Sequence, residues 1–178
     1  MKLYLIVVFI ILSGVVQAQE SSIIWEENKA LEWTDFTGKA SDTSKFDAEC
    51  YAEISYNYTF YDLADFEFDV HAKFHKNSSW SKKGKQSAEL LKHEQLHFDI
   101  AEYYARKLAT AFANYTFNSS TIKQDFNTIY TAIITEYDVV DNTYDYETEH
   151  SKNKKQQEAW NKKIAVQLLA LTVPTSAP

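Results

Sequence analysis

Leu90-Leu91-Lys92-His93-Glu94-Gln95-Leu96-His97-Phe98 is the stretch on which the reading of the whole chain turns. Its centre is His93-Glu94-x-x-His97. On a helix, two imidazoles four residues apart project from one face, and the carboxylate beside the first can handle a metal-bound water; this is the helical zinc signature. At about 100° per residue, Leu90, Ala101, Tyr104, Ala105, Leu108 and Phe112 form one apolar stripe. That stripe predicts a helix from about Ser87 to Asn114. Lys92, Gln95, Asp99, Arg106 and Thr110 fall on the other side. His93, Glu94 and His97 lie inside the apolar stripe, where three ionisable groups cost several kcal/mol unless they are paired or bind an ion. The pattern therefore points to a metal site. Asp99 and Glu102 lie about 160° or more from the mean direction of the two His on an ideal helix. Neither can complete the site, so a third ligand must come from elsewhere in the chain.

Downstream, Ile122, Phe126, Ile129, Tyr130, Ile133 and Tyr137 recur at helical spacing. Thr121 with Gln124 fits a capping box at the start of this second helix, and Asp141-Asn142 marks its expected end. Tyr144-Asp145-Tyr146-Glu147-Thr148-Glu149-His150 then leads into a final helix reaching about Leu171. On a wheel, His150 shares a face with Gln157, Asn161, Ile164 and Leu168, with Trp160 close by. His150 ranks first as third ligand because imidazole suits zinc; Glu147, Glu149 and Asp145 are the alternatives. The same acidic run also reads simply as a helix start favoured by the helix dipole.

Upstream, the period changes to two. Ala48, Cys50, Ala52, Ile54, Tyr56, Tyr58 and Phe60 alternate with polar or smaller neighbours, and Phe66, Phe68, Val70, Ala72 and Phe74 do the same. Two long antiparallel strands around a turn near Leu63-Ala64 are expected. Ser22 to Trp25 reads as a short first strand, and Leu31 to Phe36 as a second extended piece before the loop at Gly38. His71 and His75 share one strand face about 13 Å apart, too far to hold one ion, and read as exposed strand histidines. Asn77 to Gln86 is a polar connection carrying Lys82, Lys83 and Lys85, with Trp80 a candidate for the mouth of the site. The fold class is α+β: a small antiparallel sheet packed on the metal helix, with two further helices completing the core.

Met1-Lys2, the apolar run from Leu3 to Leu12, and Val16-Gln17-Ala18 read as a cleavable signal peptide over residues 1–18. The run is too short to span a bilayer comfortably. Residues 19–178 then form one exported domain without stable membrane insertion. Without the leader, 17 basic residues face 25 acidic ones, which argues against nucleic acid and anionic membranes as partners. The single cysteine, Cys50, has no internal partner and reads as a small buried strand residue.

Trp33-x-Asp35-Phe36, the run from Leu90 to Glu102, Tyr144-Asp145-x-Glu147-Thr148-x-His150, Gln157 and Trp160-Asn161 together resemble a bacterial family of predicted secreted zinc-dependent proteases. The likeness covers essentially the whole mature chain in the same order. It implies a zincin-like metallopeptidase with His93, His97 and His150 as zinc ligands and Glu94 as catalytic base, acting on a peptide or protein substrate. The Gly and third His that follow the motif in metzincins are missing, which excludes that subgroup. Such chemistry also needs a donor to the tetrahedral oxyanion, and Tyr144 is the candidate by position. Two other readings stand beside this one: an exported, non-catalytic zinc-binding interaction module, and a zinc hydrolase of a non-peptide amide bond.

Overall fold

The computed structural model describes residues 21–60 and 66–171. The proposed leader and the turn near Leu63-Ala64 lie outside the described residues. The elements in chain order are β1 (Ser22–Ile24), a 3-10 turn (Trp33–Asp35), β2 (Ala48–Glu49), β3 (Ala52–Phe60) and β4 (Phe66–His75). They are followed by β5 (Trp80–Ser81), α1 (Ala88–Ala113), α2 (Ile122–Thr148) and α3 (Lys154–Ala170). The architecture is mixed α+β, with two small antiparallel sheets and three helices among the described residues. One sheet has the order β1-β4-β3, and β2 pairs with β5 in the other.

The period-two pattern places its apolar set as expected. Ile54 lies opposite Ala72 and Tyr58 opposite Phe68; Ile54, Phe68, Ala72 and Phe74 are buried beneath α1, which packs along β4. The alternation beginning at Ala48 does not form one strand, however. Ala48 and Glu49 pair with Ser81 and Trp80, whereas Ala52 onward pairs with β4. Between them the Tyr51 backbone N–H turns aside to the Ser79 hydroxyl at 2.9 Å. The extended piece expected over Leu31–Phe36 contains a 3-10 turn, closed where Asp35 Oδ2 accepts from the Glu32 N–H at 2.9 Å.

Helix α1 is covered on more than one side, because β4 packs against it while α2 and α3 pack on it as well. Leu96, Phe98, Ile100 and Ala109 are therefore buried along with the expected stripe. Phe112 stacks on Phe126 of α2 at 4.0 Å between centroids. The polar side of α1 serves as a tether. Asp99 accepts from the Trp25 indole N–H at 2.8 Å. Arg106 Nη1 donates to the carbonyls of Leu168 and Leu171, at 2.8 and 3.0 Å, closing the end of α3.

Helix α2 differs from expectation at both ends. Thr121 occupies the N-cap position without a capping bond, and its hydroxyl donates instead to Asp125 at 2.7 Å. The helix also passes through Asp141-Asn142 and ends only at Thr148. Asn142 bonds back to the Asp138 carbonyl at 2.6 Å, and Tyr144 and Thr148 are fully buried. Burial outweighs the local turn preference of Asp and Asn. No helix among the described residues is long and apolar enough to cross a membrane.

Candidate metal centre

The two imidazoles of α1 meet the last two turns of α2. Ser87 caps α1 by accepting from the Leu90 N–H at 3.1 Å, and His93 and His97 follow one turn apart, both buried. Across from them, Asp141 and Asp145 stand four residues apart on α2. Three imidazole nitrogens converge on Asp145 Oδ1: His93 Nε2 at 3.0 Å, His97 Nε2 at 3.2 Å and His150 Nδ1 at 3.1 Å. Ligand atoms of His93, Asp145 and His150 all lie within 4.8 Å of one another, a His/Asp/His group able to hold an ion. Donors about 2.0–2.1 Å from a tetrahedral zinc lie about 3.3–3.4 Å apart, near the 3.0–3.2 Å between Asp145 Oδ1 and each imidazole nitrogen; His97, bonded to the same oxygen, is not part of the His93, Asp145, His150 group.

Proton bookkeeping supports that fit. His97 Nδ1 lies 2.6 Å from Asp141 Oδ1, and His93 Nδ1 lies 3.1 Å from Gln157 Oε1. Gln157 Nε2 donates to Asn161 at 2.9 Å, which fixes the orientation of the amide. Both outer neighbours are acceptors, so the Nδ1 atoms carry hydrogens. A neutral His93 or His97 then turns the lone pair of Nε2 toward the Asp145 carboxylate. Without an ion the cluster needs extra protons: burial alone would lower the pKa of His97, but the charge and hydrogen bond of Asp141 raise it well above the ordinary value. Asp145 shows the converse. Burial alone would raise its pKa, but hydrogen bonds from His93 and His97 hold it far below the usual carboxylate range. A divalent cation satisfies the same lone pairs and carboxylates without those protons.

His150 reaches the cluster from the corner between α2 and α3, not from a helix. Glu149, His150 and Ser151 all have positive φ, at 51°, 50° and 72°. For residues other than glycine this left-handed conformation costs about 1–2 kcal/mol each. The corner is held by the Asn153 N–H on the Thr148 carbonyl at 2.8 Å, and Phe46 packs on the His150 ring at 4.3 Å. Such backbone strain persists where surrounding structure over-determines it, and it clusters at functional sites.

Glu94 is buried and opens into the same cleft of about 710 Å³ as the imidazoles. Burial pushes its carboxyl up to about 7, with Asp145 adding to the effect and His97 opposing it. The Cys50 backbone N–H hydrogen-bonds the Glu94 carboxyl group from above, so Cys50, half-buried, contributes its main chain to the site. Its thiol pKa is raised first by burial and then by Glu94.

His93, Glu94, His97 and His150 are thus brought together, and Asp145, an alternative ligand in the sequence, stands at their centre. Tyr144 is placed otherwise than expected. Its ring stacks on His93 at 4.7 Å, and its hydroxyl donates to the His93 carbonyl at 3.0 Å and accepts from Gln157 Nε2 at 2.8 Å. Buried behind the imidazole and absent from the cleft lining, it steadies His93 and does not face a substrate. Glu147 accepts from the Trp160 indole at 2.7 Å and is committed there. Trp80 is buried in β5, away from the cleft lining. His71 and His75 pair with Asp69 and Glu53 at 2.7 and 2.6 Å. Asp141 is the residue that sequence reasoning missed. Its i,i+4 relation to Asp145 was the available signal, concealed by reading Asp141 as a helix end.

Taken together these features define an α+β protein with a partly buried His–carboxylate cluster open to a cleft. The chain belongs to the bacterial protein family of unknown function DUF922, whose pattern matches residues 36–151. No curated protein and no solved structure matches it.

Proposed function

We propose that this chain is an exported zinc-dependent peptidase. The observation that carries the reading is the placement of Glu94: a buried carboxyl group shares one cleft with three imidazoles that converge on Asp145 Oδ1. His93, His97 and His150 would hold the ion, and a donor set dominated by imidazole suits zinc. Zinc bound there would lower the pKa of a water toward roughly 7 and polarise a carbonyl. Glu94 accepts the proton of the attacking water and returns it to the departing nitrogen. Asp141 and Gln157 keep the imidazoles in the tautomer that leaves Nε2 free.

A peptide is favoured as substrate by the wall above Glu94. Residues 47–50 line the cleft, and within them β2 has, among the described residues, β5 as its one sheet neighbour. An extended backbone can be held along such an edge. Incubating the purified mature protein with a mixed peptide library tests this: cleavage should stop with a chelator and resume with zinc. Glu94→Gln should retain zinc and lose hydrolysis. Zinc lost from Glu94→Gln, or activity kept by it, refutes the role of Glu94. A second reading, a closed structural ion in an interaction module, is favoured by one feature only: Asp145 stands where a fourth ligand would.

A further inference from the structure

We infer that Phe46 is the positioning residue of His150: packed on the imidazole, it does by ring contact what Gln157 and Asp141 do for the other two histidines by hydrogen bond. The inference rests on the metal reading above and concerns the one imidazole whose orientation that reading leaves unexplained. His93 Nδ1 lies 3.1 Å from Gln157 Oε1, and His97 Nδ1 lies 2.6 Å from Asp141 Oδ1. Such outer partners fix the ring orientation of a metal-ligating histidine. His150 turns Nδ1 to Asp145 instead, at 3.1 Å. Among the described residues it has no side-chain hydrogen-bond or ion-pair partner besides Asp145. Its side chain is 37 % exposed, so burial does not hold the ring either. The left-handed backbone at φ 50° sets where the side chain starts, not how the ring turns. Phe46 restrains the ring: the two centroids are 4.3 Å apart, with the planes inclined at 50°.

Phe46 can carry this task because the segment bearing it is braced on both sides. Lys82 Nζ donates to the Ser44 carbonyl at 2.6 Å, and the Lys82 backbone N–H donates to the Asp47 carbonyl at 2.8 Å. The Ser44 hydroxyl oxygen accepts from the Phe46 N–H at 3.1 Å. Directly after it, Ala48 and Glu49 pair with β5. Farther back, the Gly38 N–H donates to the Ser79 carbonyl at 2.8 Å, and a Cβ at Gly38 would stand 2.7 Å from that oxygen. The segment is therefore docked closely where it begins as well as where it ends. Of the basic run in the polar connection, Lys82 is half-buried and Lys83 and Lys85 are exposed; Lys82 is the one that sets the height of Phe46 over the imidazole.

Zinc affinity of the full mature chain, read in a competition titration, tests the role by a double-mutant cycle with His150→Ala. Phe46→Ala should weaken zinc binding about 3- to 10-fold, the range expected of an aromatic pair contact, and Phe46→Tyr, which keeps the ring, should stay within about twofold. In the His150→Ala background Phe46→Ala should change the affinity by less than about twofold, because its effect passes through the imidazole. In chelator, the His150 ring-proton resonances should move in Phe46→Ala and stay near their wild-type positions in Phe46→Tyr. Losses that add in the double variant, an affinity unchanged in Phe46→Ala, or unmoved His150 resonances would overturn the inference while leaving the metal reading intact. Failure of the wild type to bind zinc would remove the metal reading, and the role of Phe46 with it, whatever the spectra in chelator show. Should His150→Ala bind no zinc, the spectra in chelator decide. Should Phe46→Ala not fold, as judged by circular dichroism, Lys82→Met takes its place in the cycle and the spectra: it keeps the ring and removes the brace at Ser44. No loss with Lys82→Met, or a loss that persists in the His150→Ala background, overturns the inference.

Discussion

Replacing Tyr144 by Phe separates two roles for this residue with one substitution. The change keeps the ring on His93 and deletes a hydroxyl that is fully buried. Two partners are affected. The His93 carbonyl, 3.0 Å away, lies within α1 and keeps its intrahelical donor. Gln157 Nε2, at 2.8 Å, loses an acceptor but keeps Asn161. Stranding buried polar groups costs about 1–3 kcal/mol, and the partial compensation places this case near 2. For a chain of this size about 1 kcal/mol shifts Tm by about 2–4 °C, so a fall of about 4–8 °C is expected in a calorimetric scan of the metal-free protein. Zinc affinity should fall no more than about tenfold, since Gln157 is loosened but not removed. An oxyanion donor would behave in the opposite way: its loss costs about 10²–10³ in kcat and little stability. A hundredfold loss of peptidase activity with Tm unchanged would refute the placement of Tyr144 behind the imidazole.

Asp141→Asn removes the charge that holds His97 Nδ1 and should weaken zinc binding by about 10- to 100-fold in a competition titration, with far-UV circular dichroism unchanged. Phe126→Ala deletes a fully buried ring stacked on Phe112 and should cost about 3–5 kcal/mol in urea unfolding. Burial raises the Glu102 carboxyl above its ordinary value of 4.5, opposed in part by Arg106. The folded chain therefore keeps that proton to higher pH than the unfolded chain. This contribution is fully present below the unfolded value and is lost as pH climbs through the raised one. Glu102→Gln should flatten the decline in Tm just above pH 4.5, measured in chelator; an unchanged slope would contradict it.

How far the sequence carried depended on the range of the forces involved. Helix α1 was legible to its caps because Ser87 and Asn114 act within a turn of their own positions. The β3–β4 pair was legible because its alternation faces one helix. The α2 boundary was not, since Asp141 and Asn142 are turn formers locally but are kept helical by Tyr144 and Thr148, buried against neighbours remote in sequence. His150 was recognised by its chemistry and misplaced by its backbone. Three successive left-handed residues without a glycine give no local signal, and only the assembled corner makes them tolerable. Tyr144 was placed on the wrong side of the imidazole because a position next to a ligand says nothing about which way a ring turns.

The third helix sets a limit on how the chain can be trimmed. The family pattern stops at residue 151, after every candidate ligand, so a fragment cut there would look complete on paper. It would lack Gln157, the acceptor that orients His93, and Trp160, whose ring covers Tyr144 at 5.5 Å. Such a piece would carry every candidate ligand and yet expose their back wall to water, which makes the minimal unit that encloses the histidine–carboxylate cluster longer than the segment that identifies the family.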